Sequence, residues 1–399
     1  MQDSLINTID RSLMNYMRES LDSTPIEFTR YMATEIPWED RMIGLVGPRG
    51  VGKSTLVKQQ ILSKFDNSFP QLYVTADHSY FSNHSLIELA DKFIAGGGKR
   101  IVIDEIHKYK GWSRELKQIY DTYSQLKIIF TGSSILDIKK GEADLSRRAL
   151  IFNMQGLSFR EYLSLFENIS LPAYTIEEIT SNEVKYISGF HPLQFFHQYL
   201  SQGYYPFGNM PRFDIRMQQI FSETLEVDIP SFANLTPSTV RKLKQLMMII
   251  SESAPYKPNM LNLSVELKIS KNDVPDYLVY LEKAGMLAQL RDGTAGFRSL
   301  GKVEKVFIDN PSLMTILAGG VPNVGNLRET FFFNQTRVKN DVRASKVSDF
   351  EINGITYEVG GAKKGRRQLT GIEKGIVVRD DIEYGGEGIV PLWTFGLNY

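Results

Sequence analysis

Residues 47–54 read GPRGVGKS and fit the pattern G-x-x-x-x-G-K-[ST] at every position. An apolar run, residues 42–46, precedes them, and an amphipathic segment follows over residues 54–65. Glycines at these positions let the backbone wrap closely around an anion, and the start of a helix adds partial positive charge. An accidental glycine turn is the alternative. Because strand, pattern and helix coincide, the sequence predicts a phosphate-binding loop.

This loop predicts a site for ATP and Mg²⁺. The Lys53 ammonium is expected to reach the β and γ phosphates, and the Ser54 hydroxyl is expected to ligate Mg²⁺. Thr55 is expected beside the α-phosphate. The predicted nucleotide-binding residues are Gly47, Pro48, Arg49, Gly50, Val51, Gly52, Lys53, Ser54 and Thr55.

A second apolar run, residues 100–103, ends in two adjacent carboxylates, Asp104 and Glu105. Asp104 is expected to hold the metal through its water shell, and Glu105 to orient and deprotonate the attacking water. A strand end that happens to be acidic is the alternative, because turns favour aspartate. Two carboxylates downstream of a complete phosphate loop indicate hydrolysis and not binding alone.

Polar and cationic residues are also expected near the terminal phosphate. Ser133 is the first choice for sensing it and Thr131 the second, although helix capping by Ser134 explains the same hydroxyls. Arg147 and Arg148 are candidates for an arginine that stabilises transition-state charge, with solvated loop arginines as the alternative. The predicted catalytic residues are Glu105, Lys53, Ser133, Arg147 and Arg148, and the predicted metal ligands are Ser54 and Asp104.

Apolar runs that alternate with amphipathic segments predict an α/β domain with a parallel sheet covered on both faces. The runs lie at 42–46, 72–75, 101–103, 127–130 and 150–152. At 399 residues the chain exceeds one ordinary core. The expected order is a helical lead-in over 1–40, the P-loop core over 41–155, a helical subdomain or lid over 156–238, a winged-helix-like domain over 239–320 and a small α+β domain over 321–399.

The composition limits the classes of function. Basic and acidic residues number 46 each, so no global field attracts nucleic acid or an anionic membrane. The chain has no cysteine, which excludes disulfides, thiolate catalysis and cysteine-type zinc sites. No run approaches the length of about 18 apolar residues that a membrane helix needs. We therefore expect a cytoplasmic protein with no membrane partner.

Four segments together resemble prokaryotic AAA-14 ATPases, which typically carry a C-terminal DUF4143 region. They are residues 47–54, 103–107, 131–134 and 156–162. The Leu-Ser-Phe-Arg-Glu-Tyr element at 157–162 is especially typical of that family. The resemblance covers nearly the whole chain, more weakly at its C-terminal end. It implies a P-loop NTPase fold of the ASCE/AAA-like class, ATP binding and ATPase activity.

Residues 240–308 are similar to the winged helix that such proteins carry, with helices expected over 241–251, 262–268 and 271–284. The third helix would enter the major groove if this domain bound DNA. Its basic charge is offset within the helix, where Lys271 and Lys283 stand with Asp273, Asp276 and Glu282. A duplex reader needs several phosphate contacts, so protein packing is favoured over DNA binding.

The tail beyond residue 324 resembles a restriction-endonuclease-like fold, in which an aspartate and a Glu-x-Lys bind metal. The candidates here are Glu329, Asp349 and Glu358. Gly360 occupies the position where lysine is expected, and Lys363 would have to reach in from further along. The departure favours a degenerate, inactive fold. The basic residues nearby are Arg337, Lys339, Arg343, Lys346, Lys363, Lys364, Arg366 and Arg367.

The sequence therefore predicts an ATPase whose Mg²⁺-dependent hydrolysis switches the arrangement of its appended modules, with a DNA link left open. The alternative is a slow nucleotide-dependent signalling or protein-binding switch without DNA. A metal-dependent nuclease is the least favoured reading. A nucleic acid and a protein both remain candidate partners, and a homo-oligomer is compatible with an arginine that acts on a neighbouring subunit.

Overall fold

The computed structural model describes residues 9–64, 70–132, 145, 147–233, 235–293, 301–319 and 322–399. The chain divides into two compact units, which we call unit 1 (Met1–Gln155) and unit 2 (Gly156–Tyr399). All three modules predicted after the P-loop core fall within unit 2. Among the described residues, no helix combines the length and the apolar character that crossing a bilayer requires.

Unit 1 is built on a parallel β-sheet. Its strands are β1 (Met42–Val46), β2 (Gln71–Thr75), β3 (Arg100–Asp104), β4 (Lys127–Gly132) and β5 (Leu150–Asn153). The spatial order is β2-β3-β4-β1-β5, with every neighbouring pair parallel. β1 and β3 are buried along their whole length, as continuous apolar strands require. The predicted α/β parallel-sheet class is confirmed.

Helices cover this sheet. They are α1 (Arg11–Asp22), α2 (Lys53–Lys64), α3 (Leu86–Ala95) and α4 (Trp112–Thr122). α3 begins with a capping box, because Ser85 accepts from the amide of Glu88 while the Glu88 side chain returns to the amide of Ser85. Buried apolar side chains of α1, α3 and α4 form one core with the strands. This core holds in place the sheet that carries the phosphate loop.

Unit 2 begins with helices. They are α5 (Phe159–Phe166), α6 (Ile176–Thr180), α7 (Pro192–Gln198), α8 (Phe213–Glu223) and α9 (Ile229–Ala233). They continue with α10 (Pro237–Ser253), α11 (Met260–Leu267), α12 (Asp273–Lys283), α13 (Pro311–Leu317) and α14 (Val324–Thr336). The Leu-Ser-Phe-Arg-Glu-Tyr element forms the capping box of α5, in which Ser158 accepts from the Glu161 amide.

Two sheets complete unit 2. The strands are β6 (Leu287–Arg291), β7 (Val303–Ile308), β8 (Arg343–Ala344), β9 (Phe350–Ile352), β10 (Ile355–Gly360), β11 (Gly375–Arg379) and β12 (Ile389–Pro391). β6 and β7 form an antiparallel pair after α10, α11 and α12. The winged-helix assignment of this region stays a prediction. The second sheet has the order β12-β11-β10-β9-β8 and mixes parallel with antiparallel pairs.

The helices at the start of unit 2 share one hydrophobic core with the C-terminal sheet. The ring of Phe159 lies 5.3 Å from that of Phe196 and 6.4 Å from that of Trp393. Phe196 in turn lies 4.8 Å from Phe331 of α14. Residues 156–200 therefore do not form a lid with its own core, because their aromatic side chains are buried against residues far along the chain.

We expect Phe159→Ala to destabilise unit 2 by about 3–5 kcal/mol, because a fully buried aromatic ring leaves a cavity. Hydrogen exchange should show faster opening in α5–α7 and in β10–β12 together. Phe93→Ala, at a buried position of α3 in unit 1, is the matched control and should leave unit 2 protected. Loss of protection confined to the helices would contradict the shared core.

Candidate functional site

The phosphate loop joins β1 to α2 and has a backbone that requires glycine. Gly50 and Gly52 have φ angles of 77° and 97°, in the left-handed region that other residues rarely adopt. A Cβ atom on Gly47 would lie 2.1 Å from the carbonyl oxygen of Met154, so no side chain fits there. The loop therefore has the close backbone packing predicted from its sequence.

Lys53, the first residue of α2, turns its ammonium into this loop. Its side chain is buried, and Nζ donates to the carbonyl oxygens of Gly47 at 2.9 Å and Pro48 at 2.7 Å. The amino end of a helix also carries partial positive charge. The loop thus combines an ammonium group with a helix start, which suits a phosphate group.

Asp104, at the end of β3, is the centre of a hydroxyl cluster that we define as Ser54, Tyr73 and Thr131. The Ser54 hydroxyl donates to Asp104 Oδ1 at 3.0 Å, and Thr131 donates to the same oxygen. The Tyr73 hydroxyl donates to Oδ2 at 2.7 Å. Asp104 is 5% exposed, so these three bonds replace the water that its carboxylate loses on folding.

Tyr73 is the member of the cluster that the sequence did not predict. Burial raises the pKa of its phenol, and the negative charge of Asp104 raises that pKa further. Tyr73 therefore stays a protonated hydrogen-bond donor at neutral pH. The available signal was a tyrosine between Leu72 and Val74 in a predicted buried strand, because a buried phenol hydroxyl usually has a polar partner.

Glu105 has an unusual backbone. Its φ angle is 51°, a left-handed value that is uncommon outside glycine. Its amide donates to the Thr131 hydroxyl at 3.1 Å, and its Oε2 lies 3.3 Å from Nε2 of the buried His107. Such strained positions persist where the surroundings hold them. The second carboxylate is therefore held at the same edge of the sheet as Asp104.

The two hydroxyls proposed as phosphate sensors have different outcomes. Thr131 lies inside the hydroxyl cluster and bonds both Asp104 and the Glu105 amide. Ser133, the first choice, lies outside the described residues. Its role therefore stays a prediction, and Thr131 is the candidate that the structure places against the Asp104 carboxylate and the Glu105 backbone.

The two arginines differ in their surroundings. Arg148 forms a two-pronged ion pair with Asp121 of α4, at 2.8 Å from Nε to Oδ1 and 2.9 Å from Nη2 to Oδ2. This arginine lowers the pKa of Asp121 below its ordinary value, the hydrogen bond being the larger cause. Arg147 is exposed. Arg147 is consequently the better candidate for reaching a phosphate outside its own domain.

The residues around Asp104 suit a magnesium ion. Ser54 and Asp104 supply a hydroxyl and a carboxylate oxygen 3.0 Å apart, and both are the hard oxygen ligands that Mg²⁺ prefers. The hydroxyl donors are neutral, so they leave the negative charge of the carboxylate in place. The predicted metal ligands therefore fit the ion by their chemistry and their proximity.

Unit 2 brings the three nuclease-like candidates close to lysines. Lys305 of β7 lies 2.9 Å from Glu329 of α14 and 3.2 Å from Asp349. Glu358, on β10, forms an ion pair with Lys364. The sequence pointed to Lys363 as the lysine that reaches in, but its neighbour Lys364 does so. The three carboxylates are thus bonded to ammonium groups of the chain.

A cleft of about 760 Å³ lies beside Lys305 and Asp349. Its charged lining residues are four basic ones, Lys257, Lys305, Arg343 and Lys346, and four acidic ones, Asp292, Glu304, Asp349 and Glu351. Equal numbers of opposite charges do not create the positive field that a phosphate backbone requires.

Four of the basic residues near the tail have partners within unit 2. Arg337 bonds to Asp309 and Arg343 to Asp341. Lys364 pairs with Glu358, and Arg366 donates to the carbonyl oxygen of Gly375. The basic residues found in the sequence therefore do not form one open cationic surface.

His197, Asp380 and Asp381 also bring potential metal-ligand atoms together within the described residues. Arg328 donates to Asp380 at 2.7 Å and to Asp381 at 3.0 Å. A guanidinium group already bonds both carboxylates, so this group does not support a metal site.

Residues 39–163 match the AAA_14 family model, described as an AAA domain. Residues 193–323 match DUF8612, a domain of unknown function, and the predicted DUF4143 assignment is not supported. Uncharacterized protein MJ1637 of Methanocaldococcus jannaschii is 24% identical over 285 residues, which are 66% of this chain and 60% of that protein. The chain therefore spans only about three fifths of that relative's length.

Two solved structures are similar at low identity. The Walker-type ATPase PABY2304 of Pyrococcus abyssi is 16% identical with a TM-score of 0.46, over 75% of this chain and 99% of that chain. AMPPCP-bound DnaA from Aquifex aeolicus is 11% identical with a TM-score of 0.28, over 70% of this chain and 90% of that chain. Likeness at these levels says nothing of substrate or partner.

The AAA match covers both the phosphate loop and the acidic end of β3. It agrees with the parallel strand order of unit 1 and with the bonds that Lys53, Ser54 and Asp104 make. Residues 39–163 therefore have a P-loop α/β fold and are similar to AAA domains, and this similarity supports ATP binding.

Proposed function

We propose that the chain binds ATP with Mg²⁺ and hydrolyses it, and that turnover drives a conformational change in the appended modules. The observation that carries this proposal is the meeting of Ser54 and Asp104 beside the Lys53 ammonium. The phosphate loop and the acidic strand end are distant in sequence, yet their side chains are bonded to each other. This arrangement is the one that binding a nucleoside triphosphate together with its metal ion requires.

Each residue has a defined part in the proposed reaction. Lys53 and the loop amides bind phosphate oxygens, while Ser54 and Asp104 hold the metal. The metal neutralises charge on the phosphates. Glu105 accepts a proton from water as the new phosphorus–oxygen bond forms and the bond to ADP breaks. Thr131 holds the Asp104 carboxylate and the backbone of Glu105 in place.

A DNA link is the less favoured form of this proposal. The cleft in unit 2 has balanced charges, and four of the tail's basic residues are engaged within the unit. We therefore favour a nucleotide-dependent switch that engages a protein partner without DNA. ATP hydrolysis measured with and without DNA distinguishes the two, since a DNA-coupled enzyme should turn over faster when DNA is present.

The carboxylates of unit 2 are paired with lysines, which favours a charge-neutralised cluster over a nuclease centre. Burial raises the pKa of Glu329, and the charge of Asp349 adds to the rise, while Lys305 opposes it. The ammonium of Lys305 lies between these two carboxylates, where a metal-dependent nuclease would need a divalent cation. We infer that this cluster belongs to the internal packing of unit 2 and is not a metal centre.

We expect Lys53→Ala to abolish ATP binding, because it removes the ammonium from the phosphate loop. Glu105→Gln should retain ATP and lose at least about a hundredfold in turnover, because the general base is removed. Calorimetry measures binding and phosphate release measures turnover. Lys58→Ala, further along α2, is the matched control for loss of a lysine. Undiminished hydrolysis by Glu105→Gln would remove Glu105 from its role.

We expect Arg147→Ala to lower turnover without weakening ATP binding, because a transition-state arginine acts only during the reaction. The Arg147→Ala and Lys53→Ala variants should each hydrolyse ATP slowly when assayed alone. If Arg147 acts on a neighbouring subunit, mixing the two variants should restore part of the turnover. The mixture combines an intact phosphate loop with an intact arginine. Arg148→Ala, which breaks the ion pair with Asp121, is the control.

The unfolding free energy of unit 2 should depend on pH through Glu329. Its folded-state pKa lies above the ordinary 4.5, so the folded state keeps this proton at pH values where the unfolded state has lost it. That contribution to stability is lost as pH rises through the folded-state pKa. Glu329→Gln cannot ionise, so its stability relative to wild type should increase from pH 4.5 towards neutral.

Urea denaturation of both proteins across this pH range measures the difference. Glu351→Gln, on β9, serves as the control for removing an acidic residue from another position in unit 2. A variant that loses stability relative to wild type as the pH rises would show that ionised Glu329 is favoured by its ion pair with Lys305.

A further inference from the structure

The three hydroxyls around Asp104 are not equivalent. Ser54 belongs to the phosphate loop and is a predicted metal ligand. Thr131 bonds Oδ1 of Asp104 and also accepts the amide of Glu105 at 3.1 Å. Tyr73 instead donates to the other carboxylate oxygen, Oδ2, at 2.7 Å. The tyrosine therefore holds the carboxylate oxygen that the other two hydroxyls do not contact, and a bond at this second oxygen restrains the rotation of the carboxylate from the opposite side.

The structure holds Tyr73 firmly in this position. Its side chain is 1% exposed within β2. Its ring is stacked on that of Tyr16 from α1, with ring centres 6.1 Å apart and planes 6° from parallel. In the parallel pairing of β2 with β3, Tyr73 lies opposite Val102, and Thr75 lies opposite Asp104. The phenol reaches diagonally to the end of the neighbouring strand, which is within range of a long aromatic side chain.

We propose that Tyr73 is a positioning residue that fixes the rotation of the Asp104 carboxylate and thereby sets the affinity of the nucleotide site for Mg²⁺. With Oδ2 bonded to the phenol, Oδ1 is directed towards Ser54. The pair of oxygens that suits Mg²⁺ is then already arranged before nucleotide enters. This role rests on the proposed function, since it concerns the metal that accompanies ATP.

A phenol is well suited to this task because it is a neutral donor. A lysine or arginine at the same place would fix the carboxylate equally well, but its charge would compete with the metal. The Tyr73 hydroxyl fixes the geometry and leaves the charge of Asp104 available. The Tyr73 hydroxyl is bonded to Asp104, so its effect is exerted through that carboxylate.

The test is Tyr73→Phe, which removes the hydroxyl and keeps the ring that stacks on Tyr16. We measure binding of a fluorescent, non-hydrolysable ATP analogue while titrating Mg²⁺, and repeat the binding in EDTA. The Mg²⁺ concentration for half-maximal enhancement should rise about tenfold, the effect of losing one hydrogen bond to a charged group. Affinity in EDTA should stay within about twofold, since the phosphate loop is intact.

Tyr109→Phe is the matched control. It removes another phenol–carboxylate hydrogen bond in unit 1, from Tyr109 to Glu115 at 2.9 Å, which does not involve Asp104. Its Mg²⁺ requirement should equal that of wild type. An unchanged requirement in Tyr73→Phe would overturn the role of Tyr73, as would an equal loss of affinity with and without Mg²⁺. Absence of any nucleotide binding by wild type would instead overturn the proposed function itself.

A double-mutant cycle with Asp104→Asn tests whether Tyr73 acts through Asp104. Asp104→Asn and Tyr73→Phe/Asp104→Asn should require the same Mg²⁺ concentration, because the carboxylate to be positioned is gone from both. A further rise in the double variant would overturn the proposal. This comparison can still overturn the route through Asp104 if Tyr73→Phe alone proves too unstable to titrate, since neither of these two proteins contains the buried carboxylate.

Discussion

The arrangement of unit 1 depends on keeping one carboxylate charged inside the protein. Asp104 is nearly buried at the end of β3, and an isolated buried charge is strongly unfavourable. Hydroxyl groups from three different elements donate hydrogen bonds to this carboxylate and offset the cost of burying it. They belong to Ser54 of α2, Tyr73 of β2 and Thr131 of β4. The same bonds that make the charge tolerable also connect the phosphate loop to the centre of the sheet.

The phosphate loop and the acidic strand end were each predictable from the sequence, but the hydrogen bonds that join the residues of the site were not. A phosphate loop and a strand ending in two carboxylates are continuous patterns, and both were found. The bond from Tyr73 to Asp104 depends on the register of β2 against β3, which aligns Thr75 with Asp104. No pattern within either strand specifies that register. A buried tyrosine in a sequence indicates that its hydroxyl has a hydrogen-bond partner, but it does not indicate which residue that partner is.

Unit 2 illustrates the same limit at a larger scale. Helical spacing of Phe159 and its neighbours correctly indicated helices, and the predicted helices over 241–284 correspond to α10–α12. Spacing cannot tell which surface those aromatic rings cover, so a separate lid was predicted where the structure has a core shared with the C-terminal sheet. Likewise Lys305, which bonds Glu329 and Asp349, comes from a strand outside the nuclease-like segment.

The carboxylates of the two units have opposite kinds of partner, and this difference favours a metal site in unit 1 over one in unit 2. In unit 1 the donors to Asp104 are neutral hydroxyls, so the negative charge remains to attract a divalent cation. In unit 2 the partners of Glu329, Asp349 and Glu358 include the ammonium groups of Lys305 and Lys364. A divalent cation entering unit 2 would have to displace a bonded lysine and separate two ion pairs. In unit 1 the cation would replace a hydrogen bond from the Ser54 hydroxyl, which is itself a proposed metal ligand.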